Sequence, residues 1–134
     1  MTSKVIYTSD LQTHAIHTKS QKELITDAPI DNNGKGSAFS PSDLTATSLA
    51  SCMLTIIGML AQRTGFSIDG AEASVTKIMN DNPRRIGEIV VEIDFPANNY
   101  SDKVKEMIRR IPSSCPVSLS LHPEIKQTIK LNFK

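Results

Sequence analysis

Between Leu44 and Gln62 the chain carries no charged side chain, and this run is introduced by Ser40-Pro41-Ser42-Asp43 and followed by Gly65. Ser40 suits a helix N-cap, Pro41 the first helical position, and Asp43 the positive end of the helix dipole. Gly65 suits the left-handed residue that ends a helix. The pattern predicts one helix from Pro41 to about Thr64, roughly 36 Å long at 1.5 Å per residue. A compact chain of 134 residues has a radius of gyration of about 14 Å, so such a helix must run through the middle of the fold. Thr45, Thr47, Ser48, Ser51 and Thr55 make it too polar for a membrane span. It reads as a helix buried nearly all round, and Ala46, Ser48, Ala50 and Ser51 permit close approach of another backbone. One chain of this size has little material left to cover it, so an intimate homodimer is expected.

Short strands are expected before the helix, at Lys4–Thr8, Thr13–Thr18 and Glu23–Thr26, with turns at Ser9-Asp10 and Lys19-Ser20-Gln21. Asp27–Gly36 is a loop by composition. After Gly65, Ala71–Met79 and Arg85–Phe95 read as strands joined across Asn80-Asp81-Asn82-Pro83, the second with largely period-two apolar placement. Ser101 caps a helix running to about Ile111, with Val104, Met107, Ile108 and Ile111 on its apolar stripe, and Pro112 breaks it. Cys115-Pro116 suggests a second helix start, and Thr128–Phe133 a last strand. The order β-β-β-α-β-β-α-α-β gives an α+β fold, with antiparallel sheets wrapped about the central helix in one domain spanning 1–134.

The charge balance, fifteen Lys+Arg against fourteen Asp+Glu with no Trp, argues against a nucleic-acid binder, which wants a basic stripe with interleaved aromatics. The first residues lack the apolar run of a signal peptide, so a cytoplasmic protein is expected. His14, His17 and His122 are scattered and no Cys-x-x-Cys occurs, which leaves a metal centre without the four ligands zinc wants. Cys52 and Cys115 are too few for a disulfide scaffold, and in the cytoplasm a thiol pair is more often redox-active than structural. Each has two readings. Cys52, in an apolar helix, is either a small core hydrophobe or a nucleophile. Cys115 is either a turn residue or an N-cap whose neighbouring N–H groups favour a thiolate. Together they could run a cycle in which one thiolate becomes a sulfenic acid and the other closes a disulfide.

The runs Ser40-Pro41-Ser42-Asp43-Leu44, Leu49-Ala50-Ser51-Cys52-Met53 and Cys115-Pro116-Val117 resemble the OsmC/Ohr family of bacterial thiol-dependent hydroperoxide reductases. Thr26-Asp27-Ala28-Pro29 and Asp81-Asn82-Pro83-Arg84-Arg85-Ile86 are similar to one branch of it. The resemblance implies a peroxidatic Cys52, a resolving Cys115, Asp43 in place of the family carboxylate, and an intertwined homodimer with active sites at the subunit interface. It further implies an organic (alkyl) hydroperoxide substrate, an external dithiol reductant (lipoyl-type or a small thiol), and an oxidative stress role. No cofactor, metal, nucleic acid or membrane partner is expected. Two departures stand out: residues 1–27 contain no arginine, where the family's hairpin arginine is expected and Gln12 lies instead, and the acid is Asp rather than Glu. Nine residues of helix put Asp43 about 13.5 Å from Cys52 along the axis, so direct contact within one helix is ruled out. Arg63, Arg84, Arg85, Arg109, Arg110, His14 and His17 are the alternative cations, and none is singled out by sequence. The competing reading is a dimeric binding protein that holds a small apolar ligand in its interface pocket, with Cys52 as a liner.

Overall fold

A computed structural model describes all of residues 1–134. The elements follow the expected order: β1 (Ser3–Ser9), β2 (Gln12–His17), β3 (Glu23–Asp27), α1 (Pro41–Thr64), β4 (Glu72–Asn80), β5 (Arg85–Asp94), α2 (Asp102–Arg109), α3 (Pro116–Ser120) and β6 (Lys126–Asn132). The chain forms two compact units, Met1–Thr45 and Ala46–Lys134, with α1 continuous across the boundary. The architecture is α+β, with two three-stranded sheets separated along the chain by the long helix.

In the amino-terminal unit, β1, β2 and β3 form an antiparallel meander. Side chains alternate faces along a strand, so Val5, Ala15 and Leu24 share one face while Ile6, His14 and Ile25 share the other. Neither face is covered within one chain: Val5 is 61% exposed, Tyr7 64% and Ile25 52%. The buried residues of this unit are all polar, namely Thr26, Asp27 and Ser40.

Asp27 organises the loop that follows. Its Oδ2 accepts hydrogen bonds from the Ser37 hydroxyl at 2.6 Å and the Ser37 amide at 2.9 Å. Those bonds hold the carboxyl below its ordinary range, the hydroxyl contributing most, and outweigh the opposing effect of burial. The Asp27 amide donates to Phe39 O and the Gly36 amide to Ala28 O, which folds the loop back onto the end of β3. Gly34 passes so close to Ala28 that a Cβ there would overlap its backbone. Within the loop, Ile30–Asn32 forms a single 3-10 turn.

The start of α1 is a reciprocal capping box. Ser40 Oγ accepts from the Asp43 amide at 3.1 Å, and Asp43 Oδ2 accepts from the Ser40 amide at 2.9 Å. An N-cap of this kind is worth about 1 kcal/mol. At the other end Gly65 adopts φ +91°, and the amides of Gly65 and Phe66 both close on Ala61 O.

The core of the carboxy-terminal unit lies between α1 and one face of the second sheet. Ala46, Leu49, Ala50, Met53, Ile57, Leu60 and Ala61 form the buried stripe of the helix. They meet Ile89, Val91 and Ile93 of β5, which lie in register with Val75 of β4 and with Ile129 and Leu131 of β6. Ile108 of α2 and an aromatic group of Phe66, Phe95, Tyr100 and Phe133 complete the packing.

One expectation needs correction. The second sheet is mixed: β5 pairs antiparallel with β4 but parallel with β6. Because α2 and α3 intervene between β5 and β6, the chain has length enough for the crossover that parallel pairing needs. The helix α1 is long and apolar enough to cross a membrane by length and composition, yet its buried stripe is packed as a globular core. In a single chain Thr45, Ser51, Thr55, Met59 and Gln62 remain exposed along one side, in keeping with the expectation that one chain has too little material to cover the helix.

Candidate functional site

Cys52 lies in the fourth turn of α1, beside the buried stripe, and is half-buried. Cys115 is completely buried and occupies the N-cap of α3, with extended backbone (φ −72°, ψ 142°) and Pro116 at the first helical position. Its Sγ accepts a hydrogen bond from the Ser118 amide at 3.3 Å. The fold brings the two cysteines together: Cys52 packs against the core cluster that contains Cys115, close enough for each thiol to act on the other. Both are free thiols. Sequence alone could not establish this meeting, because sixty-three positions separate them.

The cap forms as the Cys-Pro pair suggests, but its electrostatic consequence differs. Burial pushes the Cys115 thiol above its ordinary range, and the neighbouring Cys52 pushes the same way. The amides of Ser118 and Val117 act in the opposite direction and do not prevail. Two or three N–H groups at the end of a five-residue helix cannot replace the hydration that a thiolate loses when fully enclosed. Cys115 therefore rests as a neutral thiol at neutral pH.

Asp43, the third sequence-derived site residue, belongs to the amino-terminal unit, where its carboxylate serves the capping box with Ser40. Its structural duty is thus defined independently of any chemistry. Several cations considered as substitutes for the missing arginine have other partners. Arg85 pairs with Glu124 at 3.3 Å, and Arg109 and Arg110 flank Glu106 at 3.6 and 4.0 Å. Arg109 also lies over the Phe133 ring, 5.5 Å from its centroid, and His14 Nε2 sits 3.0 Å from Glu23 Oε2. Arg63 is exposed at the helix end.

Two residues of the carboxy-terminal unit escape a reading by motif. Lys77 is half-buried on the same face of β4 as Ala73 and Val75, a cation in an otherwise apolar row. Gln127 interrupts the apolar alternation that Ile129 and Leu131 continue along β6. Its side chain reaches Ser118, the residue whose amide donates to Cys115 Sγ. The sequence signal for both Lys77 and Gln127 was a polar residue at an apolar period. No group of three or more His, Cys, Asp or Glu side chains is placed to hold a metal ion.

An α+β chain whose long helix presents a cysteine to a buried Cys-Pro thiol is a two-thiol protein of a recognisable architecture. Residues 34–130 match the family model described as OsmC-like protein, and the chain belongs to that family. A candidate osmotic stress induced and detoxification response protein from Psychrobacter arcticus 273-4 is 50% identical, with 98% of this chain and 95% of that one covered at a TM-score of 0.94. Two more distant structures share the fold. One is the organic hydroperoxide resistance protein OsmC from Legionella pneumophila, at 15% identity, with 98% and 97% of the chains covered and a TM-score of 0.76. The other is the organic hydroperoxide resistance protein OhrB of Bacillus subtilis, at 16% identity, with 98% of each chain covered and a TM-score of 0.65. A search of curated proteins finds no match.

Proposed function

We propose that this protein is a thiol-dependent reductase of organic hydroperoxides, with Cys52 peroxidatic and Cys115 resolving. The observation that carries the reading is the half-buried Cys52 thiol packed against the cluster that holds the fully buried Cys115, near enough to influence it. The Cys52 thiolate attacks the terminal peroxide oxygen, the O–O bond breaks, and the alkoxide leaves as an alcohol after gaining a proton. The resulting Cys52 sulfenic acid condenses with the neutral Cys115 thiol to give a disulfide and water. An external dithiol, lipoyl-type or a small thiol, then reduces the disulfide and becomes oxidised itself. Asp43 is carried into the site by the family resemblance, and a role there would be added to its capping role. The names of the Legionella and Bacillus neighbours, both hydroperoxide resistance proteins, support the substrate class.

The test is stoichiometric alkyl hydroperoxide added to the reduced protein, followed by intact and peptide mass spectrometry. A loss of two hydrogens localised to a Cys52–Cys115 linked peptide is expected within seconds. Thiols unmodified after many minutes overturn the reading and favour the ligand-binding alternative.

The reading includes a cytoplasmic homodimer. Its support is the apolar surface that one chain leaves uncovered on both faces of the β1–β3 sheet, with the uncharged exposed side of α1. Sedimentation equilibrium is expected to return twice the 14.7 kDa chain mass, and a single-chain mass at micromolar concentration would exclude the dimer.

A further inference from the structure

We infer that Gln127 is a positioning residue for Cys115: by clamping Ser118 at two points, it fixes the amide that hydrogen-bonds the cysteine sulfur. The purpose of this arrangement rests on the proposed two-thiol cycle, but the geometry does not. Ser118 Oγ donates to Gln127 Oε1 at 2.6 Å, and Gln127 Nε2 donates to Ser118 O at 3.1 Å. Both ends of one side-chain amide are thus engaged by a single residue. The arrangement also settles which end is oxygen, because a carbonyl cannot donate and the reversed amide would set two acceptors against each other. Ser118 in turn presents its own N–H to Cys115 Sγ at 3.3 Å.

A clamp is needed here for a physical reason. The helix α3 has only five residues, far short of the dozen or so at which a helix holds itself together in water. Without an external tie, the direction of the Ser118 amide would fluctuate. The tie comes from β6, a strand fixed by its parallel pairing with β5, where Gln127 lies opposite Ile89. A glutamine on this face forgoes the apolar packing that Ile129 and Leu131 make, which a purely structural position would favour keeping.

The amide matters most when the disulfide is reopened. A reductant thiolate attacks the Cys52 sulfur, the half-buried member of the pair; a new S–S bond forms to the reductant, and the Cys52–Cys115 bond breaks. The electron pair leaves on Cys115 as a thiolate, later protonated. Burial disfavours that charge, so the oriented Ser118 amide, with a smaller contribution from the Val117 amide, eases its departure. The second reductant thiol then resolves the mixed disulfide and releases Cys52.

The experiment compares the parent with Gln127→Met, which keeps side-chain length and loses both arms, and with Ser118→Ala, which keeps the amide and loses one arm. The Cys52–Cys115 disulfide is generated with diamide, so no peroxide chemistry is involved, and its opening by dithiothreitol is followed. Gln127→Met is expected to slow opening by about fivefold, with Ser118→Ala between it and the parent, as follows from a poorer leaving thiolate. In parallel, thiolate absorbance at 240 nm is titrated in a Cys52→Ser background, which removes the titratable group that faces Cys115 from α1. The midpoint is expected to move upward in Gln127→Met. Unchanged opening rate and unchanged midpoint overturn the inference. If diamide forms no disulfide, the peroxidase reading fails while the titration still decides the role of Gln127. If Gln127→Met loses its circular dichroism, the same two readouts on Ser118→Ala decide it, and parent-like values there overturn the inference.

Discussion

Cys52→Ser is expected to abolish peroxide consumption, while Cys115→Ser is expected to preserve a single rapid oxidation and then fail to turn over. Removing the nucleophile leaves no group to accept the peroxide oxygen, and a loss of roughly three orders of magnitude or more is the scale seen when a covalent nucleophile is deleted. Removing Cys115 leaves the first step intact, because that thiol is enclosed and neutral and does not compete for the substrate. The Cys52 sulfenic acid then has no partner and climbs to sulfinic acid as peroxide is added. A dimedone adduct on Cys52 in Cys115→Ser, absent from the parent, is the accompanying chemical signature. The opposite pattern, with activity retained in Cys52→Ser and lost in Cys115→Ser, would reverse the roles assigned to the two thiols.

Phe95→Ala is expected to destabilise the carboxy-terminal unit by about 3–5 kcal/mol, the range for truncating a buried aromatic side chain. Phe95 is 1% exposed, stacks on Phe133 with centroids 4.7 Å apart, and meets the edge of Tyr100 at 6.0 Å. Its loss opens a cavity where β5 ends, and the ring below cannot fill it. Phe133 is held from its other neighbours by Lys105 at 5.7 Å and Arg109 at 5.5 Å. Phe133→Ala should cost less, since that ring is half-buried and loses area already partly shared with water. Urea unfolding followed by circular dichroism checks both, and a cost below about 1 kcal/mol for Phe95→Ala would contradict this account of the core.

The helix α1 was readable to the residue because every local signal agreed: an Ser-Pro start, an uncharged run, and a glycine stop. The first residues of β6 were missed, since the polar Lys126 and Gln127 extend the strand beyond the apolar alternation of Ile129 and Leu131. Parallel pairing with β5 was equally hidden, because strand direction follows from connection geometry and leaves little trace in composition. The loop after β3 was identified only as a loop. Its organising residue, Asp27, is one acidic side chain among several, and nothing local distinguishes a carboxylate that binds Ser37 from one facing water.

For the site, the residue types were legible and their relations were not. The Cys-Pro pair predicted the N-cap, but whether burial or the amides would govern the Cys115 thiol depends on the surrounding volume, which spacing does not encode. Asp43 was visible as a helix-start acid, whereas its reciprocal bond with Ser40 needed coordinates. The Gln127–Ser118 clamp joins two neutral polar residues nine positions apart, a pairing with no sequence pattern of its own.

The placement of the two thiols has a topological consequence. A bond between positions 52 and 115 would tie α1 to the start of α3 and enclose β4, β5 and α2 in one covalent ring. Closing a loop of that length removes about 4 kcal/mol of freedom from the unfolded chain in the chain-entropy treatment. The oxidised protein is then the harder one to unfold. A cell carrying it would hold its most persistent form at the moment of greatest peroxide load, and each reduction would return the chain to a looser and more readily degraded state.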